Sequence, residues 1–511
     1  MTDLLLIISN NAKNIYQGLS EKYAAIETPT WALLLAEASR SKGFSVKILD
    51  CLAENLSHMK ALEKINIINP RLSLFVVYGQ NVNAGTTSMS GAVMLAELVK
   101  KETDIPIAFV GSHVQSLPIE TMKKEKCIDF VYTNEGVYAL LNTLKLNKIN
   151  SENLKNIKGI AFRNGNEIKF NQLERVVPQD RMDIDLPGYA WDLLPFKKKP
   201  LDLYRSPMWH AEYNEDFRTP YAAIQTSLGC QFKCSFCMIN IINRNNDDEI
   251  GVASNYSGMR FWSTKFVINE FKKLINLGVK TIRIVDEMFL LNPKYYVPLC
   301  KELKELNKED SLKMWAYSRI DTVKNPETLK LVRSAGIKWL CLGIESGDKN
   351  VRLEVAKGKF EEVDVKRVID QIHNADIEVM ANYILGLPGD DKITMKKTFD
   401  LSIELCTSGW NTYAAMALPG SQLYKNAIKN NVKLPENYEG YSFHSYDTIN
   451  LPTDKLKAYE VLKYRDQCFD KYHNHIPFLN RIEKKFGLKA RLNIEKMTEI
   501  KLKRKVIEQQ I

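Results

Sequence analysis

The feature that most constrains the fold of this chain is an alternation of short apolar runs with helical patterns, which occurs in two blocks. In the first block, over residues 1–148, the apolar runs that predict strands are 4–9, 45–49, 72–78, 107–110 and 128–132. Continuous apolar strands joined by helices indicate a parallel sheet that is covered on both faces. We therefore predict a doubly wound, Rossmann-like sheet with its ligand site at the carboxyl ends of the strands.

The second block, over residues 216–430, repeats the alternation with six further runs. These predicted strands are 221–226, 281–285, 314–317, 339–343, 379–385 and 412–417. Between the blocks, residues 149–215 are interpreted as a connector that contains a β-hairpin with an Asn164-Gly165 turn. Residues 431–511 have helical patterns and many aromatic residues, so they are predicted to form a C-terminal helical domain.

Three cysteines, Cys230, Cys234 and Cys237, have the spacing CxxxCxxC on the loop after the first strand of the second block. Three thiolates at this spacing suit three irons of a [4Fe–4S] cluster and leave the fourth iron open for a substrate or cofactor. The alternative is zinc, which needs four ligands; no second cysteine pair is visible, although a distant histidine or cysteine could complete such a site. The total of nine cysteines is odd and the other six are scattered, which argues against a disulfide framework and favours a reducing cytoplasm.

The bulk properties exclude several classes. The N-terminus lacks the basic segment of a signal peptide, and no stretch approaches the roughly 20 apolar residues that cross a bilayer. The net charge of +10 is concentrated in the tail at 481–505. Such a tail could meet nucleic acid, a membrane surface or an anionic substrate. A solvated helix face is favoured over these, with Ile482, Phe486, Ile494 and Met497 packed beneath it.

The cysteine spacing, with Phe236 just before the last cysteine, resembles the signature of radical S-adenosylmethionine (SAM) enzymes. That resemblance implies that Cys230, Cys234 and Cys237 ligate the cluster, that SAM chelates the open iron, and that residues 216–430 form a partial (β/α)6 TIM-like barrel. Strand-end segments resemble the family's motifs at 286–289, 318–319, 343–347, 385–389 and 418–424. The SAM contacts implied by the resemblance are Phe236, Asp286, Glu287, Arg319, Glu345, Ser346 and Gly386. Cys341 and Tyr317, near the barrel mouth, are candidates to donate or shuttle protons.

The first block resembles the cobalamin-binding module of the cobalamin-dependent radical SAM enzymes of the class B methyltransferase type. The resemblance lies in segments 28–36, 111–113 and 129–136, with departures at Ser112 and at the end of the last segment. The implied cobalamin contacts are Thr28, Trp31, Asn81, Asn83, Thr86, Thr87, Ser88, Gly111, His113, Asn134, Glu135 and Gly136. The Asp-x-His-x-x-Gly motif is absent, so the resemblance implies cobalt without a protein nitrogen ligand and a hydrogen-bonding role for His113.

The resemblance implies a cobalamin-dependent radical SAM methyltransferase. Its cluster would cleave SAM to a 5′-deoxyadenosyl radical, and methylcobalamin would methylate an unactivated carbon of a small molecule, such as a natural product, a phosphonate or a sugar-like compound. A phosphorylated or nucleotide-linked substrate would suit the basic charge. The expected partner is an external electron donor of the flavodoxin or ferredoxin type, and the expected state is a cytoplasmic monomer that binds no nucleic acid.

Three alternatives stay open. A cobalamin-dependent radical SAM enzyme could cyclise or rearrange its substrate without net methylation. A methylthiotransferase is disfavoured, because those enzymes carry a second three-cysteine cluster and the first block has only Cys51 and Cys127. A non-catalytic iron–sulfur sensor is the alternative of a different class, and it would need no SAM-binding motifs at the strand ends.

Overall fold

The structure is a computed structural model, and it describes residues 2–79, 81–242, 244, 253, 256–323, 325–355 and 363–510. Within these residues the strands build one sheet from the first block, one from the second block and a two-stranded ribbon. The strands of the first sheet are β1 (Leu4–Ile8), β2 (Val46–Asp50), β3 (Ser73–Val76), β4 (Ile107–Val110), β5 (Phe130–Tyr132), β6 (Ile160–Asn164) and β7 (Glu167–Phe170). The remaining strands are β8 (Tyr221–Ile224), β9 (Ser227–Leu228), β10 (Arg260–Phe261), β11 (Thr281–Ile284), β12 (Lys313–Arg319), β13 (Ile337–Glu345), β14 (Glu378–Leu385) and β15 (Gly409–Ala414).

The first sheet has the order β2-β1-β3-β4-β5-β6-β7, in which β1 to β5 are parallel. This is a doubly wound sheet whose strand order reverses between β1 and β3, which is where ligands of such folds bind. The hairpin β6–β7 pairs antiparallel with β5 and extends this sheet. The segment that the sequence suggested as a connector therefore supplies two strands of the first sheet.

The second sheet has the order β15-β14-β13-β12-β11-β8, and all its neighbouring strands are parallel. Its six strands are the six predicted from the apolar runs. Within the described residues β8 and β15 do not pair with each other, so the sheet is a partial barrel as predicted. Strand β9 of the short ribbon follows β8 and leads directly into the loop that carries Cys230, Cys234 and Cys237, which we call the cysteine loop. Strand β10 pairs antiparallel with β9.

Helices cover both sheets. In the first block and the connector they are α1 (Ala12–Tyr16), α2 (Thr30–Arg40), α3 (His58–Ile68), α4 (Gly85–Glu102), α5 (Ser112–Ser116), α6 (Pro118–Lys124), α7 (Val137–Leu144), α8 (Ser151–Leu154) and α9 (Met182–Asp185). In the second block and the C-terminal part they are α10 (Thr264–Asn276), α11 (Pro293–Leu306), α12 (Pro326–Ser334), α13 (Lys349–Val355), α14 (Val365–Asn374), α15 (Lys392–Leu405), α16 (Gln422–Lys429), α17 (Ala458–His473), α18 (Ile476–Phe486), α19 (Leu488–Thr498) and α20 (Lys505–Glu508).

Several barrel helices begin at residues whose side chains satisfy the free N–H groups of the first turn. Ser263 accepts from the backbone N–H of Phe266, and Asp391 forms a capping box with Thr394. These caps fix where each helix leaves its strand, and so they fix the strand-end loops. Among the described residues no helix is both long and apolar enough to span a bilayer.

The two blocks are joined through the segment that precedes α2. Thr28 Oγ1 accepts from the Ala223 N–H at 2.8 Å and donates to the Ala223 carbonyl at 3.1 Å. Glu27 forms an ion pair with Arg283 of β11, and their side chains are only 8% and 2% exposed. The first sheet is thereby attached to the edge of the barrel that carries the cysteine loop.

The basic tail lies against the barrel. Ile482 and Ile494 are buried, while Arg481 and Lys485 form ion pairs with Glu378. Much of the tail's charge is thus matched within the chain.

Candidate active site

The three predicted cluster ligands line one cavity of about 380 Å³ at the carboxyl ends of the barrel strands. We call it the cysteine cavity. The loop that carries them starts at Gly229, whose φ of +88° is a left-handed conformation that glycine adopts without strain. This turn brings Cys230 off the end of β9 and into the barrel mouth.

Some of the hydrogen bonds to the cysteine loop come from its own backbone and from the first block. The Phe232 N–H donates to Cys230 Sγ at 3.5 Å. Asn83 Nδ2 lies 3.8 Å from Cys237 Sγ, and Asn83 Oδ1 accepts from the Met238 N–H at 3.2 Å. Asn83, which is predicted to contact cobalamin, therefore reaches the cysteine loop.

The chemistry of the three thiols fits a cluster. Burial raises the pKa of Cys230 to about 12 and that of Cys234 to about 11, and it also raises the pKa of Cys237. The thiols stay protonated until a metal displaces their protons. Among the described residues, no group of three or more His, Cys, Asp or Glu side chains is arranged to hold a single ion. A cluster needs no such common centre, because each cysteine ligates a different iron.

Four of the predicted SAM contacts line the cysteine cavity: Phe236, Glu287, Arg319 and Glu345. The Arg319 guanidinium donates twice to Asp321, at 2.6 Å each, and lies 3.6 Å from the centre of the Phe232 ring. Burial raises the pKa of both Glu287 and Glu345 to about 7. The cavity thus offers one oriented guanidinium and two carboxyls for polar groups of a ligand.

The other predicted SAM contacts serve the scaffold in this structure and do not line the cavity. Both carboxylate oxygens of Asp286 are engaged, by the Thr226 N–H, Thr226 Oγ1 and Ser227 Oγ, each at 2.6 Å. Ser346 is buried beside Thr398 at 3.2 Å. Gly386 packs so closely on α17 that a Cβ would lie 2.4 Å from Val461 Cγ1. Contact of Asp286, Ser346 and Gly386 with SAM stays a prediction.

The two candidate proton donors are placed differently. Tyr317 lines the cysteine cavity, and its hydroxyl accepts from Arg283 Nη2 at 3.0 Å. Cys341 does not line it, and its Sγ accepts from Asn382 Nδ2 at 3.1 Å. Burial raises the pKa of Cys341 to about 12, so the thiol is protonated at neutral pH.

A second cavity, of about 920 Å³, lies between the first sheet and the barrel. We call it the interdomain cavity. The predicted cobalamin contacts that line it are Thr28, Trp31, Asn81, Thr87 and Ser88, while Asn83 lines the cysteine cavity instead. The Trp31 ring stacks on Tyr78 at 5.0 Å between centroids and an interplanar angle of 19°. The position at the reversal of strand order and the flat surface of the Trp31–Tyr78 stack suit a large planar ligand.

The remaining predicted cobalamin contacts line neither cavity, and these are Thr86, Gly111, His113, Asn134, Glu135 and Gly136. His113 is buried against Tyr438, its Nδ1 is 3.1 Å from Thr86 Oγ1, and burial lowers its pKa to about 3. Glu135 forms a buried ion pair with Arg260 at 2.7 Å. These residues hold the strand ends together, and their contact with cobalamin stays a prediction.

The two cavities adjoin. They share as lining residues Ile15, Tyr16, Asn81, Ala84, Thr87, Ile239 and Glu287. Groups held in the two cavities would therefore be separated by single side chains.

Sequence reasoning missed one wall of the cysteine cavity, which we call the aromatic wall: Tyr16, Asn382, Tyr413, Phe443 and His444. It is built from α1, two strands and the loop after residue 440. The aromatic run at 441–444 lies outside any helical pattern, and this was the one available signal.

Comparison with known proteins shows what this chain is similar to. Residues 224–402 match the profile of the radical SAM superfamily. An uncharacterized methyltransferase, PH0819 of Pyrococcus horikoshii, is 26% identical over 420 residues, 81% of this chain and 80% of that protein. An anaerobic magnesium-protoporphyrin IX monomethyl ester cyclase of Cereibacter sphaeroides is 24% identical over 463 residues, 87% of this chain and 66% of that protein.

Solved structures show the same fold. The radical SAM methyltransferase TsrM of Kitasatospora setae, solved with cobalamin and a [4Fe–4S] cluster, matches with a TM-score of 0.63 and 15% identity over 84% of this chain and 78% of that one. The cobalamin-dependent SAM radical enzyme OxsB matches with a TM-score of 0.65 and 13% identity over 97% of this chain and 71% of that one. Residues 224–402 are therefore a radical SAM domain. The chain as a whole has the fold of the cobalamin-dependent radical SAM enzymes, which confirms the resemblance.

Proposed function

We propose that this protein is a cobalamin-dependent radical SAM methyltransferase that acts on a small molecule. The observation that carries the proposal is the shared wall of the two cavities, one with three cysteine thiols and one at the strand-order reversal of the first sheet. When bound, the cluster, SAM and cobalamin would supply a 5′-deoxyadenosyl radical and a transferable methyl group.

In this proposal Cys230, Cys234 and Cys237 hold the cluster, and the interdomain cavity holds cobalamin. Arg319, whose Nε and Nη2 are held by Asp321, supplies the positive charge that orients the SAM carboxylate. Glu345 lies on the same cavity wall and hydrogen-bonds SAM hydroxyl groups. The aromatic wall excludes water from the space that the substrate occupies.

The test is an anaerobic incubation of the reconstituted protein with a reductant and SAM that carries a labelled methyl group. We expect both S-adenosylhomocysteine and 5′-deoxyadenosine to form, and label to appear on bound cobalamin. Formation of 5′-deoxyadenosine alone would contradict methyl transfer. It would favour cyclisation or rearrangement without net methylation, the second candidate, which the long alignment with the magnesium-protoporphyrin ester cyclase supports. The external electron donor, the monomeric state and the cytoplasmic location stay predictions.

A further inference from the structure

The aromatic wall lines the same cavity as the three cysteines but comes from elements other than the cysteine loop. Tyr413 belongs to β15, at one edge of the barrel sheet, whereas β8 forms the other edge. The rings form a continuous series. The Tyr413 and Phe443 centroids are 4.9 Å apart, those of Phe443 and His444 are 4.2 Å apart, and those of His444 and Tyr16 are 5.4 Å apart. Such a surface favours a flat apolar group by stacking.

His444 supplies a hydrogen-bond acceptor in this wall. Its backbone is fixed on both sides, because its N–H donates to Ser442 Oγ at 3.3 Å and its carbonyl accepts from Gln17 Nε2 at 2.7 Å. Within the part of the chain that the structure describes, no hydrogen bond to its ring nitrogens is formed. Burial, with further contributions from Arg465 and Arg504, lowers its pKa to about 3. The imidazole is therefore neutral, and one of its nitrogens can accept a hydrogen bond from an N–H or O–H group of a ligand.

The cations near this wall are already matched. Arg465 lies behind the Phe443 ring, 4.6 Å from its centre, and donates to the Thr412 carbonyl at 2.7 Å and to Asp466 at 2.9 Å. Arg504 donates to the same aspartate at 3.0 Å. Neither arginine lines the cavity.

The carboxyl and guanidinium groups that do line the cavity would not favour an anionic substrate. Among the described lining residues they are Glu287, Glu345 and Arg319, the last in an ion pair with Asp321. A phosphate placed at the aromatic wall would lie in the same cavity as two carboxyl groups and would find no cation on that wall. Burying such a charge without a partner is costly.

We propose that the aromatic wall binds the substrate, and that this substrate is an uncharged molecule with a flat apolar body and one N–H or O–H group that donates to His444. This inference rests on the proposed function for the reaction, and it names a substrate class other than the phosphorylated or nucleotide-linked one that the net charge suggested. His444 is in this view a residue that determines substrate specificity.

The test measures binding of three matched probes to the anaerobically reconstituted protein with SAM present, by equilibrium dialysis. The probes are 2-naphthol, 2-methoxynaphthalene, which lacks the donor, and 2-naphthyl phosphate, which adds the charge. We expect 2-naphthol to bind roughly fivefold more tightly than 2-methoxynaphthalene and at least about tenfold more tightly than the phosphate. Replacing the imidazole in His444→Phe keeps an aromatic ring and should abolish the preference for 2-naphthol over 2-methoxynaphthalene.

The matched control is His475→Phe, since His475 lines neither cavity, and it should leave all three affinities unchanged. The inference is overturned if the phosphate binds as tightly as 2-naphthol, if no probe binds, or if His444→Phe keeps the preference. Cofactor content is measured on the same samples, and 5′-deoxyadenosine is measured on them after a chemical reductant has been added to supply the electron that SAM cleavage needs. Loss of SAM cleavage in the wild-type protein contradicts the proposed function, whereas intact cleavage with a failed probe series contradicts only the substrate class.

Discussion

Asn83 shows how one side chain can serve two parts of the molecule. It comes from the loop before α4 in the first block, yet its amide contacts Cys237 Sγ and the Met238 N–H of the barrel loop. Groups that hydrogen-bond a metal ligand orient it and tune the metal's affinity. The resemblance placed Asn83 near cobalamin, and the structure places it against the predicted cluster ligands.

We therefore expect Asn83→Ala to weaken retention of the cluster. Without the amide, Cys237 loses a hydrogen-bond donor and the loop loses an anchor at Met238, so iron should be released roughly tenfold faster to a chelator. The measurement is the rate of iron loss from anaerobically reconstituted protein. Asn14→Ala, at an exposed position, is the control. Equal rates for both variants and the wild type would show that Asn83 does not support the cluster.

Asp50 links pH to stability at the end of β2. Its carboxylate accepts from Tyr204 Oη and the Ala53 N–H, both at 3.0 Å, but burial raises its pKa from 3.8 to about 6. Between these two values the folded chain binds a proton that the unfolded chain has released, so this carboxyl adds stability as the pH falls.

We compare the free energy of unfolding of Asp50→Asn with that of the wild type at about pH 5 and about pH 7. Relative to the wild type, the variant should gain about 1–2 kcal/mol between the lower and the higher pH, because only the wild type loses stability as the carboxyl ionises. Denaturant unfolding of the cofactor-free protein at both pH values measures this difference. Asp104→Asn, at an exposed position, is the matched control and is measured in the same way. A wild-type curve that stays parallel to that of Asp50→Asn would contradict the predicted ionisation.

Hydrophobic periodicity predicted the strands well because a parallel strand covered on both faces must be apolar throughout. All six barrel strands and the five parallel strands of the first sheet were found near their predicted positions. The pairing of the β6–β7 hairpin with β5 was not predicted, because nothing in a hairpin's own sequence says which sheet edge it joins. The aromatic wall was missed for a similar reason: α1 and the 441–444 loop meet only through tertiary packing.

The motif residues were harder to assign. A strand-end motif marks the end of the barrel where the site lies. Some of its residues line the cavity, however, while others only build the turn or pack against the scaffold. Arg319 and Glu345 line the cysteine cavity, whereas Asp286 is fully engaged by Thr226 and Ser227 and Gly386 packs on α17. Sequence alone does not separate these two uses of one motif.

The close packing of Gly386 on α17 can be tested with a matched pair of glycines. Gly386 has a φ of +77° and a Cβ there would lie 2.4 Å from Val461 Cγ1, whereas Gly278 has a φ of +83° and would have nothing within 4 Å. Gly278→Ala should cost about 1 kcal/mol of backbone strain. Gly386→Ala should cost that strain plus a further 1–3 kcal/mol or so of overpacking. Denaturant unfolding of both variants measures the difference, and equal losses would contradict a tight contact between the loop after β14 and α17.

The two blocks of the chain depend on the interface between them. The interdomain cavity exists only because the first sheet is held against β8 and β11, and the buried pair of Glu27 and Arg283 lies in that contact. Arg283 also supports the cysteine cavity, since it donates to the hydroxyl of the lining residue Tyr317 and lies 4.6 Å from the centre of the Trp315 ring.

Breaking this pair should destabilise the protein strongly. Glu27→Gln leaves the guanidinium of Arg283 buried without its counter-ion, which costs about 3–5 kcal/mol. The double variant Glu27→Gln/Arg283→Met removes the uncompensated charge and should recover a large part of that loss. The midpoint and slope of denaturant unfolding give the free energy of unfolding of each variant, and hence the loss and its recovery. A Glu27→Gln variant as stable as the wild type would mean that the pair does not join the blocks as described.

If the chain holds two different cofactors in adjoining cavities, the amounts of iron and cobalt bound per chain should show both. The protein is reconstituted anaerobically with iron, sulfide and hydroxocobalamin, desalted, and assayed for iron and cobalt per chain. We predict about four irons and one cobalamin. Replacing Cys230, Cys234 and Cys237 together by alanine should remove the iron and leave cobalamin bound. Ser88→Trp places a large side chain in the interdomain cavity, so it should remove cobalamin and leave the iron bound. A wild-type protein that takes up iron without cobalamin would contradict the account.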